Sequence, residues 1–102
     1  MKKVFISQPM NGRTLEEIQA EREKLKEEAK RDMPYDKLGF LYSIITDEPP
    51  NGDINQHLWY LGKSLQIMAT ADIVIFADGW EDSIGCSIEY DCAMNYDLEI
   101  WM

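Results

Sequence analysis

The run Ala71-Asp72-Ile73-Val74-Ile75-Phe76-Ala77, then Asp78-Gly79-Trp80-Glu81-Asp82-Ser83-Ile84, then Gly85-Cys86-Ser87-Ile88-Glu89-Tyr90-Asp91-Cys92-Ala93, decides the fold. Its first block is a short apolar strand. Its second is a polar turn, and its third opens a helix that carries a glutamate in its early turns. A buried strand that feeds a helix through a turn is the opening half of a parallel βαβ unit. In open α/β sheets, ligands sit beyond the carboxyl ends of the strands. A carboxylate delivered there, beside backbone N–H groups, is a candidate nucleophile or base.

The same alternation extends outward. Lys3–Ser7 reads as a buried strand, and Gln8-Pro9-Met10-Asn11-Gly12-Arg13 as a loop. Thr14 caps a helix that runs to about Met33, with Glu17 at the capping-box position. Leu15, Ile18, Leu25 and Ala29 form its expected inner stripe, and the Glu, Lys and Arg ladder reads as a solvated face. Leu38–Ile45, rich in Phe, Tyr and Ile, reads as the second strand. The prolines and glycine of Thr46–Asp53 exclude regular structure. A second helix is expected from Ile54 or Asn55 to Ala69, with Leu58, Leu61, Leu65 and Met68 as its buried stripe. Asp72–Ala77 is the third strand, about Gly85 to Tyr96 the third helix, and Leu98–Trp101 a last strand. This order predicts an α/β fold with a small, mostly parallel four-stranded sheet covered by helices on both faces. Right-handed crossovers place all three strand-to-helix loops along one rim.

A chain of 102 residues makes a single domain with one core. Ten basic against nineteen acidic residues give a net charge of −9. That balance excludes backbone-driven binding of a nucleic-acid polymer, which needs clustered Lys and Arg. It leaves room for a small nucleoside or nucleotide. The apolar run near the start is too short for a signal peptide or a membrane span, so a cytoplasmic location is expected and no membrane contact. Cys86 and Cys92, six apart on one helix, are not placed to bridge. With one histidine and no Cys-x-x-Cys, no metal site is expected.

Glu89 is the foremost candidate. Near a helix start the macrodipole favours an ionised carboxylate, which is able to attack an electrophilic carbon. Gly85 lets a ligand approach the backbone without a Cβ in the way. The plainer alternative is an acid that stabilises a helix start. Asp72, at the entry end of its strand, reads as a structural hydrogen-bonder. Asp78 and Asp82 lie at the exit end, either orienting a sugar hydroxyl or capping a solvated turn. Carboxylates crowded around Glu89 are expected to raise some of one another's pKa values. In the first loop, Ser7–Thr14, the free N–H groups with Asn11, Gly12 and Arg13 form a candidate phosphate cradle. It lacks the lysine and spacing of a Walker A loop. Trp80, at a loop tip, either stacks on a base or packs against a neighbouring subunit. Trp59 and Tyr60 carry the same alternatives. His57 reads as a polar residue at a helix start, and Cys86 as a core thiol.

Lys3-Val4-Phe5-Ile6-Ser7-Gln8-Pro9-Met10-Asn11-Gly12-Arg13, Trp59-Tyr60-Leu61-Gly62, Ala71-Asp72-Ile73-Val74 and Gly85-x3-Glu89-x3-Ala93 together resemble a known group. They are similar to the small domain-of-unknown-function proteins of the nucleoside 2-deoxyribosyltransferase-like superfamily. That superfamily includes deoxyribosyltransferases and deoxynucleoside-monophosphate N-glycosidases. The resemblance implies a three-layer, flavodoxin-like Rossmannoid fold with no metal or redox cofactor. It also implies that Glu89 attacks the anomeric carbon and forms a glycosyl ester. Ser7, Gln8, Met10, Asn11, Gly12, Arg13, Trp80, Ser83 and Gly85 are then the expected substrate-binding residues. Ser83 falls where the monophosphate glycosidases carry a phosphate-holding serine, and Arg13 where they carry an arginine; both tilt the expectation toward a nucleotide. Three departures stand out. Ser64 replaces the family's aspartate on the second helix, leaving Asp53 or Asp78 as substitutes. Asp91 replaces a frequent glycine. The sequence also ends at Met102, before the C-terminal residues with which some members complete a neighbour's site.

The expected function is therefore an N-glycosidase or deoxyribosyltransferase that uses Glu89 as nucleophile and Asp78 as its catalytic partner, with no cofactor. A non-catalytic nucleotide-binding module is the rival, and a small oligomerising α/β protein is the third alternative. Self-association is expected from the aromatic surface.

Overall fold

β1 (Lys2–Ser7) is hydrogen-bonded on both edges, to β2 (Leu38–Phe40) on one side and β3 (Ile73–Phe76) on the other. β4 (Glu99–Trp101) lies outside β3. All three pairings are parallel, with Val4 opposite Phe40 and Ile73, and Ile75 opposite Trp101. The helices α1 (Leu15–Asp32), α2 (Gln56–Met68) and α3 (Ile84–Asn95) join successive strands. The computed structural model describes residues Met1–Met102. It is the three-layer α/β, flavodoxin-like arrangement with a four-stranded sheet, and that sheet is wholly parallel. No helix is long and apolar enough to cross a membrane.

Val4–Ile6 of β1 and the whole of β3 are apolar without alternation because both faces of the sheet are covered. Alternate residues divide between two clusters. Val4, Ile6, Ile73 and Ile75 pack with Ala29 and Met33 on the α1 side. Phe5, Val74 and Phe76 pack with Met68, Ala71 and Ala93 on the α2–α3 side. The chain steps from β1 to β2 in one direction, and from β2 to β3 and β4 in the other. Right-handed crossovers then put α1 on one face and α2 with α3 on the opposite face. The order reverses between β1 and β3, so the crevice for a ligand opens beyond Ser7 and Phe76.

Local chemistry sets the ends of these elements. Thr14 Oγ1 accepts from Glu17 N at 3.1 Å and Glu17 Oε1 from Thr14 N at 3.2 Å, closing the capping box. Asn55 caps α2 and Ser83 caps α3. Asp72 Oδ2 accepts from Lys3 N at 2.8 Å, the structural role expected of it.

Three expectations need correction. Leu38–Ile45 is a strand only as far as Phe40. Beyond it, Leu41 N still donates to the Val4 carbonyl at 2.8 Å, but the Leu41 carbonyl accepts from Arg22 Nη2 and Ser43 Oγ donates to the Ile6 carbonyl, so side chains take the next ladder positions. Leu15 and Leu58, expected inside, are exposed. At roughly 1.5 Å per helical residue and roughly 3.3 Å per strand residue, α1 outreaches the six residues of β1. Leu15, Leu58 and Ile84 all stand in the first turns of their helices, at the carboxyl rim, and all three are exposed.

Ala93, fully buried against the sheet, sets how closely α3 approaches. Ala93→Leu is expected to cost roughly 1–3 kcal/mol by overpacking, read as a lower urea midpoint at unchanged slope.

Candidate active site

Glu89 is the sixth residue of α3, on the face that meets β1. It is 6% exposed. Ser7 Oγ, at the end of β1, donates to its Oε1 at 3.0 Å. Its Oε2 is buried and has no hydrogen-bond partner, and it is the only buried side-chain polar atom so placed. No cation pairs with the carboxylate, and its pKa is pushed up to about 7. Burial is the main cause, opposed by the Ser7 hydrogen bond. This corrects two expectations. The helix dipole does not hold Glu89 ionised, because that effect fades beyond the first turn and desolvation outweighs it. Nor do neighbouring carboxylates raise its pKa; the low-dielectric surroundings do.

Gly85 lies one turn before Glu89 on the same face of α3. A Cβ built on Gly85 meets nothing within 4 Å. Side chains on a helix lean toward its N-terminus, so the Glu89 side chain leans toward the Gly85 turn. The first-turn N–H groups of α3 have no intrahelical acceptor. Ser83 Oγ takes that of Cys86 at 3.3 Å and leaves those of Ile84 and Gly85 facing the rim. Cys86 is a buried thiol whose pKa burial pushes up, with Ser7 and Ser83 beside it. It is a core thiol, and neither cysteine is bridged.

Other expected residues are placed differently. The buried Gln8 amide is fully engaged: Nε2 donates to the Ile18 carbonyl and to Glu21 Oε1, and Oε1 accepts from Arg22 Nη1. Arg13 is turned back onto α1. Its Nη1 donates to Glu21 Oε1 at 2.9 Å and to the Pro9 carbonyl at 2.8 Å, so it is no free phosphate ligand. Met10, Asn11 and Gly12 form an exposed turn, closed by Arg13 N on the Met10 carbonyl, with Gly12 at φ 76°. Trp80, expected at an exposed tip, is packed inward. Gly79 at φ 86° reverses the chain into a single 3₁₀ turn, Trp80–Asp82, and the indole stacks on Tyr90 at 4.4 Å and leans on Phe76. Asp78 is exposed and lines a hollow of about 330 Å³ against Glu21, Lys24, Leu25 and Glu28 of α1. It makes no hydrogen bond to Glu89, so the two proposed catalytic carboxylates are not joined. Asp53 is exposed in the long loop and Ser64 is half-buried on α2. His57 is exposed at the start of α2, as expected. No group of His, Cys, Asp and Glu is gathered to hold a metal ion.

Sequence reasoning missed Glu21, Arg22 and Ser43, having assigned the charges of α1 to solvent. Arg22 is 5% exposed and Ser43 is buried. Arg22 Nη1 donates to Ser43 Oγ at 2.8 Å, and burial lowers its pKa. The available signal was spacing: Arg22 lies four residues after Ile18 and three before Leu25, on the inward stripe.

Comparison of the chain with protein-family models, with curated proteins and with solved structures returned no match.

The raised pKa of Glu89 gives a signed expectation. In the folded state the carboxyl holds its proton up to about pH 7, against an ordinary 4.5. Its contribution to stability is complete below pH 4.5 and is lost as pH rises through 7. Glu89→Gln should therefore exceed the native protein in stability above pH 7, by roughly 3 kcal/mol at most. The two should converge toward pH 5 in paired urea titrations.

Proposed function

We propose that the protein cleaves or transfers the N-glycosidic bond of a nucleoside, with Glu89 as the attacking carboxylate. The observation that carries this is the unpartnered Oε2 of a buried, uncharge-paired glutamate, one helical turn after Gly85 and bonded to Ser7 at the sheet's switch point. The likeness of Gly85-x3-Glu89-x3-Ala93 and of the β1 exit to the nucleoside 2-deoxyribosyltransferase-like superfamily supports the same chemistry.

Breaking an N-glycosidic bond builds positive charge on the sugar, which a carboxylate beneath C1′ stabilises electrostatically. In its ionised form, an Oε2 lone pair bonds to C1′ as the C1′–N bond breaks. The bonding pair leaves with the base, which takes a proton from water at the rim. Water then attacks C1′ of the ester, loses its proton to solvent, and returns the free carboxylate, as in retaining glycosidases. A second base in place of water gives transfer. Ser7 Oγ holds Oε1 and so aims Oε2.

A nucleoside is favoured over its monophosphate. The only arginine of the first loop is bound to Glu21, and the Ser83 hydroxyl accepts from the α3 backbone. Asp78, Glu81 and Asp82 are exposed on the loop after β3 and repel a phosphate. Exposed Leu15, Leu58 and Ile84 at the carboxyl rim support self-association; light scattering at micromolar concentration should give more than the monomer mass of 11.9 kDa.

One observation favours a second possibility, a nucleoside-binding module without turnover: no second acid is hydrogen-bonded beside Glu89 to protonate a departing base. A single experiment separates the two. Native protein is incubated with purine and pyrimidine nucleosides, deoxynucleosides and their 5′-monophosphates, and free base is quantified by chromatography. Base release is expected from a nucleoside, with kcat/KM rising as pH passes through 7, because the ionised form attacks. Glu89→Ala should lose on the order of 10³-fold or more. Gly85→Ala should keep or gain thermal stability, since alanine is the better helix former by roughly 0.5–1 kcal/mol, yet lose turnover because its methyl group stands where the substrate would approach the α3 backbone. Binding without base release assigns the module, and neither binding nor release removes both.

A further inference from the structure

We infer that Arg22 is a positioning residue for Glu89, gripping the exit of β1 on both sides of Ser7 and so fixing the hydroxyl that aims the carboxylate. Arg22 Nη1 donates to Gln8 Oε1 at 3.3 Å, which holds the residue after Ser7. The same nitrogen donates to Ser43 Oγ, and Ser43 Oγ donates to the Ile6 carbonyl at 3.3 Å, which holds the residue before it. Nη2 donates to the Leu41 carbonyl at 3.1 Å and ties both contacts to the chain leaving β2. Ser7 itself points to the other face of the sheet, where its hydroxyl is Glu89's sole partner.

A buried arginine normally faces a carboxylate. This one is held by an amide, a hydroxyl and a carbonyl, all neutral. It stands on the inward stripe between Ile18 and Leu25, where an apolar residue would bury at lower cost. A flat fork that reaches three acceptors at once suits guanidinium and not ammonium. What the charge gains by being there is geometry: the first loop is pinned from α1. Glu21 continues the network through Gln8 Nε2 and Arg13.

The geometric content of this inference is independent of the reaction; its effect on turnover rests on the proposed role of Glu89. Ser7 on β1 and Cys86 on α3 are the groups set against Glu89, and the Ser7 hydrogen bond lowers its pKa. The test is carboxyl-carbon NMR of Glu89 across pH in the native protein and in Arg22→Lys, Arg22→Met and Ser43→Ala. All three variants should move the Glu89 midpoint upward, by half a unit or more in Arg22→Met. Arg22→Lys keeps the charge, so a shift there marks loss of the fork and not of the field. In a Ser7→Ala background, Arg22→Met should add no further shift. Thr14→Ala, which weakens α1 at its cap, should lower Tm and leave the midpoint in place. Should Arg22→Met fail to fold, Ser43→Ala decides. A Glu89 midpoint equal to the native one in Arg22→Lys and Ser43→Ala overturns the inference. A moved midpoint in a protein that releases no base sustains it and refutes the glycosidic function instead.

Discussion

The contact between the Ser7 hydroxyl and the Glu89 carboxylate joins the first strand to the last helix across 82 residues of sequence. Both groups are buried, and neither is paired with a charge. A carboxyl in such surroundings prefers to keep its proton. It stays where it is because α3 is held against Phe5, Val74 and Phe76 through Ala93, with Trp80 and Tyr90 stacked over its outer edge. The sheet carries the cost of one unsatisfied oxygen. Backbone and side-chain packing thus fix a buried, half-satisfied carboxyl group at the point where the strand order reverses, which is where this kind of sheet receives its ligands.

The charges of α1 divide into two populations. Lys26 with Glu23 and Lys30 with Glu27 are exposed helical pairs of small energetic worth. Glu21 and Arg22 are different. They lie where the helix meets the exits of β1 and β2, and they bind Gln8, Arg13, Leu41 and Ser43. The two ends of the first loop, Gln8 and Arg13, are thereby tied to α1. The same pairing ties up the Arg13 guanidinium on Glu21 and the Pro9 carbonyl.

Much of the architecture was legible because it is local. The apolar runs, the cap at Thr14 and the Pro-rich break after Thr46 each carry their own signal. Alternation of strand and helix then leaves little freedom in topology. Glu89 was legible by its spacing from Gly85 at the end of a strand–turn–helix unit. Its protonation state was not, since that depends on burial by residues distant in sequence. Leu41–Ile45 has strand composition, but Arg22 takes the Leu41 carbonyl and the Ser43 hydroxyl takes the Ile6 carbonyl of β1, a competition invisible in propensity. Trp80 looked like a loop tip because nothing nearby in sequence announces Tyr90 as its partner. Leu15 and Leu58 matched the helical period yet lie past the end of a short sheet, whose length no single helix encodes.

The central claim is that Glu89 makes and breaks a bond to the anomeric carbon. Acid quenching of the protein during reaction with a nucleoside, followed by peptide mapping by mass spectrometry, tests it most directly. The account predicts a pentosyl mass increment on the peptide that contains Glu89, present in the native protein and missing in Glu89→Gln. Base release that proceeds with no adduct on that peptide, or with the sugar attached elsewhere, contradicts it.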